Sequence, residues 1–297
     1  MIRYFSLFTG IGGLDSGLEK MGATCVGYSE IKKSSIEIYK KHFLQHYNYG
    51  DITKINFIDL PDFDILTGGF PCQSFSLAGL RRGLSDGKDK KGAMVLYIYK
   101  LLKEKKPKYF VLENVKGILN HDSGKTYIKI FKLFKNAGYN VRVLLLNSLY
   151  YGSAQNRERV IFLGNKDKFE VLRPKIVDDK KRFLDIMEIG IKGKKPKDTE
   201  RNKNKIEQLL QFNFELIGKY DRAGTLTTQY GCGEKLVWDN KDFRYLTVRE
   251  CERLQGFPDD WTSGVSDNAR YWALGNAVNC NMSEYLFKDY LTKIWDL

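Results

Sequence analysis

The 297-residue chain has few of the residues that build metal centres and disulfide frameworks. It contains three His and five Cys, and the Cys stand singly as Cys25, Cys72, Cys232, Cys251 and Cys280. Zinc sites need closely spaced Cys or His ligands, and disulfide frameworks need paired Cys. We therefore expect no metal ion and no disulfide framework, and each Cys has to be interpreted on its own.

Long apolar runs are also absent from the sequence. No run approaches the roughly 20 residues that span a bilayer, and the first ten residues, MIRYFSLFTG, lack the apolar core of a signal peptide. We therefore expect a soluble, intracellular protein with no membrane partner.

Acidic residues are outnumbered by basic ones. Lys and Arg number 49 against 36 Asp and Glu, which gives a formal net charge of +13. A charge of this size favours a polyanionic partner, most often nucleic acid. A Lys-rich surface without such a partner would explain the charge equally well.

The first half of the chain alternates between short apolar runs and amphipathic stretches. This alternation predicts an α/β fold with a doubly wound, mostly parallel sheet. The predicted strands are 3–8, 23–30, 63–69, 108–115, 140–148 and 158–164, and the predicted helices are 14–22, 33–43, 94–106 and 128–138.

The alternation stops after residue 168, where charged and then Gly- and Thr-rich segments follow. We predict a main domain of residues 1–168 that is completed by residues 267–297. The segment between them, 169–266, is predicted to form a second, smaller domain.

A glycine-rich segment, FTGIGG, follows the first predicted strand at Phe8–Gly13. Glycine allows the backbone to approach a ligand closely. A dinucleotide fingerprint would place Gly where Asp15 stands, so a ligand without phosphates is favoured. Glu30 suits ribose hydroxyls and Asp51 an adenine amino group, so together they fit the adenosyl sulfonium S-adenosylmethionine. The glycines alone are explained equally well by a tight strand-to-helix turn.

A second motif, GGFPCQSFS, follows the predicted strand at 63–69. Pro71 fixes the backbone before Cys72 and displays its thiol at the strand end, where a thiolate can act as a nucleophile. Glu113 ends the next predicted strand and faces the same crevice. A carboxyl there is costly unless it is used, for example to donate a proton to a ring nitrogen.

The segment QNRERV places Gln155, Arg157 and Arg159 at alternating positions. In one extended strand all three side chains would face the same way. Two cations in one cleft need an anion or a developing negative charge between them. A solvated strand face is the alternative for Arg159.

The motifs FTGIGG, PCQSFS, ENV, QNRER, RECERLQGFP and GNAV occur in this order, so the chain from Phe8 to Val278 resembles the DNA cytosine-5 methyltransferases of bacterial and phage restriction–modification systems. The resemblance implies that Cys72 adds to C6 of a cytosine flipped out of double-stranded DNA. A methyl group then passes from S-adenosylmethionine to C5, leaving S-adenosylhomocysteine.

The resemblance also implies individual roles. Glu113 would hold N3 and the amino group of the cytosine, and Arg157 would contact O2 with support from Arg159. RECERLQGFP would buttress a target-recognition domain at 169–266. The implied cofactor-binding residues are Phe8, Gly10, Ile11, Gly13, Glu30, Asp51, Ile52, Pro71 and Asn276.

Two segments are candidates for contacts with DNA. Residues 74–92 carry Gly among Lys and Arg, as expected of a lid that closes on phosphates; a basic loop without a role is the alternative. Residues 224–238 contain Thr and Gln, which can read base edges, although a hairpin that only stiffens the domain would look similar. The candidate DNA-binding residues are Gln73, Ser76, Arg81, Arg82, Thr225, Thr227 and Gln229.

The sequence leaves alternative functions open. They are an RNA cytosine-5 methyltransferase acting on tRNA, a catalytically silent DNA-binding homologue, and a nicotinamide-dependent oxidoreductase that the glycine pattern disfavours. For the main interpretation we expect a monomer in the cytoplasm of a bacterium or phage-infected cell. A cognate restriction endonuclease is an expected partner.

Overall fold

The structure, a computed structural model, describes residues 1–71, 94–167, 174–177, 181–191, 195, 200, 203–204, 222–227, 236–238 and 243–292. The chain divides into two compact units. The first contains residues 1–146, 158–175 and 283–297, and the second contains residues 147–157 and 176–282. This division differs from the predicted domains, because residues 147–157 and 267–282 belong to the second unit.

Ten strands and seven helices have described bounds. The strands are β1 Arg3–Leu7, β2 Thr24–Ser29, β3 Ile65–Gly69, β4 Tyr109–Val115, β5 Asn140–Asn147, β6 Gln155–Asn156, β7 Glu158–Asn165, β8 Ala223–Gly224, β9 Leu236–Trp238 and β10 Phe243–Tyr245. The helices are α1 Gly13–Lys20, α2 Lys33–His42, α3 Met94–Lys105, α4 Lys125–Asn136, α5 Val248–Leu254, α6 Asp267–Asn276 and α7 Cys280–Thr292.

A six-stranded sheet organises the first unit, in the order β2-β1-β3-β4-β7-β5. β1 pairs in parallel with β2 and β3, and β3 pairs in parallel with β4. β7 runs antiparallel to β4. The predicted α/β fold with a mostly parallel sheet is confirmed.

The central strands are apolar because helices cover them. Ile65 and Leu66 of β3 and Phe110 and Leu112 of β4 are fully buried. Gly68 lets β3 lie close to β1, since a Cβ at that position would come 2.4 Å from the carbonyl oxygen of Leu7. The core therefore fixes the ends of β1 and β3 side by side.

Glycine and proline set the helix ends that the sequence predicts. α1 ends at Lys20, and Gly22 follows it in the left-handed region with φ of 76°. Gly138 plays the same part after α4, with φ of 93°. α3 ends at Lys105, two residues before Pro107.

Helix α7 packs within the first unit from Ser283 onward. The Ser283 hydroxyl donates to the Leu14 carbonyl at 3.2 Å. At the other end, the Tyr290 hydroxyl donates to the Gly164 carbonyl at 3.3 Å. The C-terminal helix is thereby attached to both α1 and β7.

The second unit contains α5, α6 and two small sheets. β6 pairs in parallel with β8, and β9 pairs antiparallel with β10. Within the described part of the chain, no helix is both long and apolar enough to cross a membrane.

Candidate active site

The strand order creates a switch point between β1 and β3. The chain leaves β1 toward β2 on one side and returns to β3 on the other. Leu7 aligns with Gly68 across this pair, so FTGIGG and GGFP emerge from neighbouring strands at one edge. In open α/β sheets, ligands bind in the crevice at this position.

The segment Phe8–Gly12, here called the glycine loop, has three residues in the left-handed region. The φ angles are 51° at Phe8, 59° at Gly10 and 90° at Gly12. For Phe8 this conformation costs about 1–2 kcal/mol, because its Cβ crowds the backbone. Among the described residues, no atom lies within 4 Å of a Cβ built on Gly10. Space for a ligand therefore lies directly over the loop.

Glu30 holds the glycine loop through its carboxylate. Oε2 accepts a hydrogen bond from the backbone N–H of Gly10 at 2.9 Å. Oε1 accepts from the N–H groups of Ile31 and Lys32, both at 2.8 Å. These bonds fix the orientation of a carboxylate at the edge of the crevice.

Asp51 begins the short turn Ile52–Lys54. Its Oδ1 accepts from the backbone N–H and the hydroxyl of Thr53, at 2.9 and 2.8 Å. Ile52 and Ile11 are buried, at 3% and 1% exposure. Gly13 is buried at the start of α1.

The backbone that leads to the motif GGFPCQSFS is tied to β4. Gly69 lies opposite Glu113 in the β3–β4 register. The N–H of Phe70 donates to the Glu113 carbonyl at 3.2 Å, and the Asn114 amide donates to the Phe70 carbonyl at 3.0 Å. The chain reaches the exposed Pro71 from this anchored point.

Glu113 forms an ion pair with Arg159, whose Nε lies 2.7 Å from Oε1. The two residues sit diagonally across β4 and β7, because Glu113 is opposite Ile161 and Arg159 is opposite Val115. Both residues are 7% exposed. Burial lowers the pKa of the Arg159 guanidinium, and the Glu113 carboxylate acts against that shift.

Arg157 has different surroundings. It is 1% exposed, its Nη1 donates to the Leu226 carbonyl at 3.0 Å, and its Nη2 donates to the carbonyls of Gly275 and Ala277 at 3.0 and 2.7 Å. All of these residues belong to the second unit. These donors hold the backbone of the second unit, and the expected contact of Arg157 with cytosine O2 stays a prediction.

Gln155, Arg157 and Arg159, which we predicted to face one way, are all buried, whereas Asn156 is exposed and Glu158 is half-buried. Gln155 and Arg157 contact the same residue: the Leu226 N–H donates to Gln155 Oε1 at 3.2 Å, and Arg157 Nη1 donates to the Leu226 carbonyl at 3.0 Å. The extended segment is interrupted at Arg157, between β6 and β7. A common direction for all three side chains stays a prediction.

Further buried amides and a hydroxyl complete this cluster, which the sequence analysis missed. The Leu254 carbonyl accepts from the Ser153 hydroxyl at 2.8 Å and from the Asn279 amide at 2.9 Å. The Gln255 amide donates to the Leu274 carbonyl at 2.5 Å. The sequence offers one indication of this cluster, because Gln255 in RLQG and Asn279 in GNAVN are polar residues within apolar stretches.

The motif RECERLQGFP forms α5 and the turn after it. Thr247 caps the helix, and Glu250 accepts from Arg244 at 2.7 and 2.8 Å in a fully buried pair. Glu252 is also fully buried and accepts from the backbone of Asp260 and Thr262, both at 2.8 Å. The motif thus stabilises the second unit internally.

The structure describes only some of the remaining candidate residues. The Thr225 hydroxyl donates to the Asn156 carbonyl at 2.6 Å, and Thr227 is exposed. Asn276 is the exposed last residue of α6, and its amide donates to the Trp272 carbonyl at 2.9 Å. The candidates that lie outside the described residues are Cys72, Gln73, Ser76, Arg81, Arg82 and Gln229, together with the segment 74–92 and residues 228–235 of the segment 224–238.

Comparison with protein families gives a match to the family described as C-5 cytosine-specific DNA methylase, over residues 2–229 and 175–292. The chain belongs to the C-5 cytosine-specific DNA methylase family. The predicted enzyme class, a DNA (cytosine-5) methyltransferase, is therefore confirmed.

Two bacterial relatives extend the match across the chain. The type II methyltransferase M1.ScrFI of Lactococcus lactis subsp. cremoris is 35% identical over 300 residues, covering 93% of this chain and 74% of the relative. M.HhaI of Haemophilus parahaemolyticus is 33% identical over 309 residues, covering 96% and 93%. The crystal structure of S. pombe Dnmt2 methyltransferase has the same fold, with a TM-score of 0.76, 22% identity and coverage of 99% and 100%.

Proposed function

We propose that this methyltransferase uses S-adenosylmethionine to methylate C5 of a cytosine flipped out of double-stranded DNA, with Cys72 as the covalent nucleophile. The observation that carries the proposal is the switch point, where the glycine loop and the GGFP segment leave adjacent parallel strands. A cofactor over the loop and a base near Cys72 would lie in one crevice.

The residues present fit an adenosyl cofactor. The space over Gly10 accepts a ligand, Glu30 presents an oriented carboxylate for ribose hydroxyls, and Asp51 presents one for an amino group. Asp15 is buried in the first turn of α1, where a dinucleotide would place its phosphates. Negative charge there repels phosphate and suits a sulfonium. The cofactor, when bound, supplies the methyl group.

Cys72 stands three residues after Gly69, which the β3–β4 register holds opposite Glu113. Three residues span at most about 11 Å, so the thiol is tethered close to that carboxyl. Attack of the thiolate on C6 breaks the aromaticity of the ring and makes C5 nucleophilic. Elimination of the thiol after loss of the C5 proton restores the base.

Glu113 would bind the flipped cytosine at N3 and the exocyclic amino group. Arg159 orients the carboxyl by the ion pair at Oε1. This arrangement stabilises charge that builds on the ring when sulfur adds to C6. Arg159 therefore supports Glu113, and we do not assign it a contact with the base.

Recognition of DNA is proposed for the second unit and the basic segment 74–92. Removing a base from the stack costs a few kcal/mol, which contacts to the opened duplex must supply. The net charge of +13 favours such contacts. The residues 169–266 are proposed as the target-recognition domain, with Thr225, Thr227 and Gln229 as base-reading candidates and Gln73, Ser76, Arg81 and Arg82 on the nucleophile side. A cognate endonuclease partner and a monomeric state belong to the same proposal.

The test is expression in a bacterial host that lacks DNA methylation, followed by bisulfite sequencing of its genome. We expect methylated cytosines at one short sequence, none with Cys72→Ala, and wild-type methylation with the control Cys25→Ala. Parallel assays of the purified enzyme on DNA and tRNA separate the two substrate classes. Methylation of tRNA alone, or persistent methylation by Cys72→Ala, contradicts the proposal.

A further inference from the structure

A buried polar network lies beneath the glycine loop, and its centre is Asp15. Asp15 is fully buried in the first turn of α1. Its Oδ2 accepts from the Ser6 hydroxyl at 3.1 Å, and its Oδ1 accepts from the Tyr39 hydroxyl at 2.9 Å. Apart from the effect of the Asp15 charge on the choice of ligand, these residues have no part in the proposed reaction.

The network continues from Asp15 into the glycine loop. The Ser6 hydroxyl hydrogen points to Asp15, so its oxygen is available to accept from the Thr9 hydroxyl at 3.2 Å. Thr9 lies between Phe8 and Gly10, the first two residues with left-handed backbone. The ionised carboxylate can only accept, which sets the direction of the bond from Ser6. The Thr9 hydroxyl has two acceptors on Ser6, the hydroxyl oxygen at 3.2 Å and the backbone carbonyl at 3.4 Å.

The network also continues away from the loop. The Tyr39 hydroxyl gives its hydrogen to Asp15, so the Nδ1–H of His46 donates to the Tyr39 oxygen at 2.8 Å. His46 Nε2 lies 3.4 Å from Glu19, and the Tyr4 hydroxyl donates to Glu19 at 2.9 Å. The hydrogen bonds of His46 and Tyr39 are therefore donated in one direction, from the residues of α2 and the loop after it toward Asp15.

Burial makes the ionised form of the Asp15 carboxylate unfavourable. Burial raises the pKa of Asp15 to about 6, although hydrogen bonds from Tyr39 and Ser6 and the charge of His46 act to lower it. Because the folded pKa exceeds the unfolded one, ionised Asp15 reduces stability above about pH 6, and protonation between about pH 4 and 6 relieves that cost. A buried charge retained against stability points to a function.

We propose that Asp15 is a positioning residue for the cofactor, and that its ionised form holds the glycine loop in its binding conformation through Ser6 and Thr9. Glu30 holds the same loop from its other side through the Gly10 N–H. This inference rests on the proposed use of an adenosyl cofactor. It predicts that cofactor affinity depends on the charge of a side chain that does not touch the cofactor.

The other titratable groups facing Asp15 come from each packed element. They are Tyr4 on β1, Glu19 on α1, Cys25 and Tyr28 on β2, Tyr39 on α2 and His46 after α2. Burial raises the pKa of the Cys25 thiol and of the Tyr39 and Tyr4 hydroxyls, so these groups stay neutral. Burial acts to raise the pKa of Glu19, but hydrogen bonds from His46 and Tyr4 lower it, so it stays ionised.

The experiment measures binding of S-adenosylhomocysteine by calorimetry between about pH 5 and pH 8. This product analogue binds without turnover, and its ammonium and carboxylate keep their charges over that range. Wild-type protein should bind with constant affinity at high pH and about tenfold more weakly as the pH falls through about 6, the size of one charge-assisted hydrogen bond.

The variant Asp15→Asn removes the charge at nearly constant shape. It should bind about tenfold more weakly at every pH with no dependence on pH, while its melting temperature at pH 8 stays equal or rises. Glu37→Gln, on the exposed side of α2, serves as the matched control and should behave as wild type. A residue with a merely structural role would instead lower the melting temperature and leave the affinity of the folded protein unchanged.

Tyr39→Phe gives an independent measure, because it keeps the carboxylate and removes one donor. Loss of that donor raises the pKa of Asp15, so the loss of affinity should begin at a higher pH than in wild type. Wild-type affinity or wild-type pH dependence in Asp15→Asn overturns the inference. Absence of binding by both the wild type and Glu37→Gln contradicts the cofactor proposal itself.

Discussion

Arg157 and Arg159 are separated by one residue, yet they are buried in chemically different surroundings. Arg159 pairs with the Glu113 carboxylate within the sheet of the first unit, and Arg157 donates to three backbone carbonyls within the second unit. An arginine paired with a carboxylate can orient a reacting group. An arginine whose guanidinium donates to three buried backbone carbonyls stabilises the fold around it.

The comparison predicts which substitutions act on the reaction and which act on the fold. Those at the Glu113–Arg159 pair should reduce turnover more than stability. Those at Arg157 should reduce stability first, because the carbonyls of Leu226, Gly275 and Ala277 would lose buried donors.

The largest effect is expected from Glu113→Gln. The amide can still accept from Arg159 but cannot provide the same proton and charge at N3, so kcat should fall by about 10²–10⁴. Glu158→Gln on β7, a half-exposed carboxyl paired with Lys116, is the control and should stay within about twofold. Single-turnover methylation measures both, and near-wild-type turnover by Glu113→Gln would remove this residue from the mechanism.

Next in size is the effect of Arg157→Met on stability. Three buried carbonyls each lose a donor, although the Ala277 carbonyl keeps a longer bond from the Gln255 amide at 3.3 Å. Each unsatisfied group costs about 1–3 kcal/mol with partial recovery by water, so unfolding should be easier by about 3 kcal/mol. Urea denaturation of this variant and of Arg142→Met, an exposed arginine of β5, gives the comparison. Equal stability of the two variants would mean that the carbonyl cluster contributes nothing.

A smaller loss of turnover is expected from Arg159→Met. Glu113 keeps its position in β4 but loses the cation that orients it, so kcat should fall by about 10–10², less than with Glu113→Gln. The double variant with Glu113→Gln should be no slower than Glu113→Gln alone, since Arg159 acts through Glu113. Additive losses would show that Arg159 acts on the substrate by another route.

The smallest effect concerns the half-exposed pair of Arg253 and Asp259, at 2.6 Å on the surface of the second unit. The hydrogen bond from Arg253 lowers the pKa of Asp259. A lowered pKa contributes stability above the unfolded value of about 4 and loses it as the pH falls through the folded value. Solvent screening limits this contribution to below about 1 kcal/mol, so Asp259→Asn should shift the denaturation midpoint slightly at pH 7, and by less as the pH falls below about 4.

Local sequence patterns predict the edge of the sheet where the site lies. FTGIGG, GGFP and ENV each follow an apolar strand, and parallel pairing brings strand ends together. Strand bounds in the first unit agree with the predicted ones to within one or two residues, because apolar runs and glycines mark them directly.

The surroundings of Arg157 and Asp15 could not be read from the same patterns. Arg157 bonds to residues 69, 118 and 120 positions away, and no local pattern indicates those partners. Asp15 reads as a polar residue in the first turn of a helix, and its burial becomes visible only when α2 places Tyr39 against it. Both environments are formed by residues that are distant in the sequence, and the local spacing of residue types does not indicate such contacts.

The proposed covalent role of Cys72 is tested most directly by trapping it on DNA that carries 5-fluorocytosine at the mapped target. Fluorine cannot leave C5 as the proton does, so the enzyme should remain bonded to the base in the presence of S-adenosylmethionine. Mass spectrometry of the digested complex should locate the adduct on the Cys72 peptide, with none formed by Cys72→Ala. No adduct at the true target, or an adduct on another cysteine, would contradict the account.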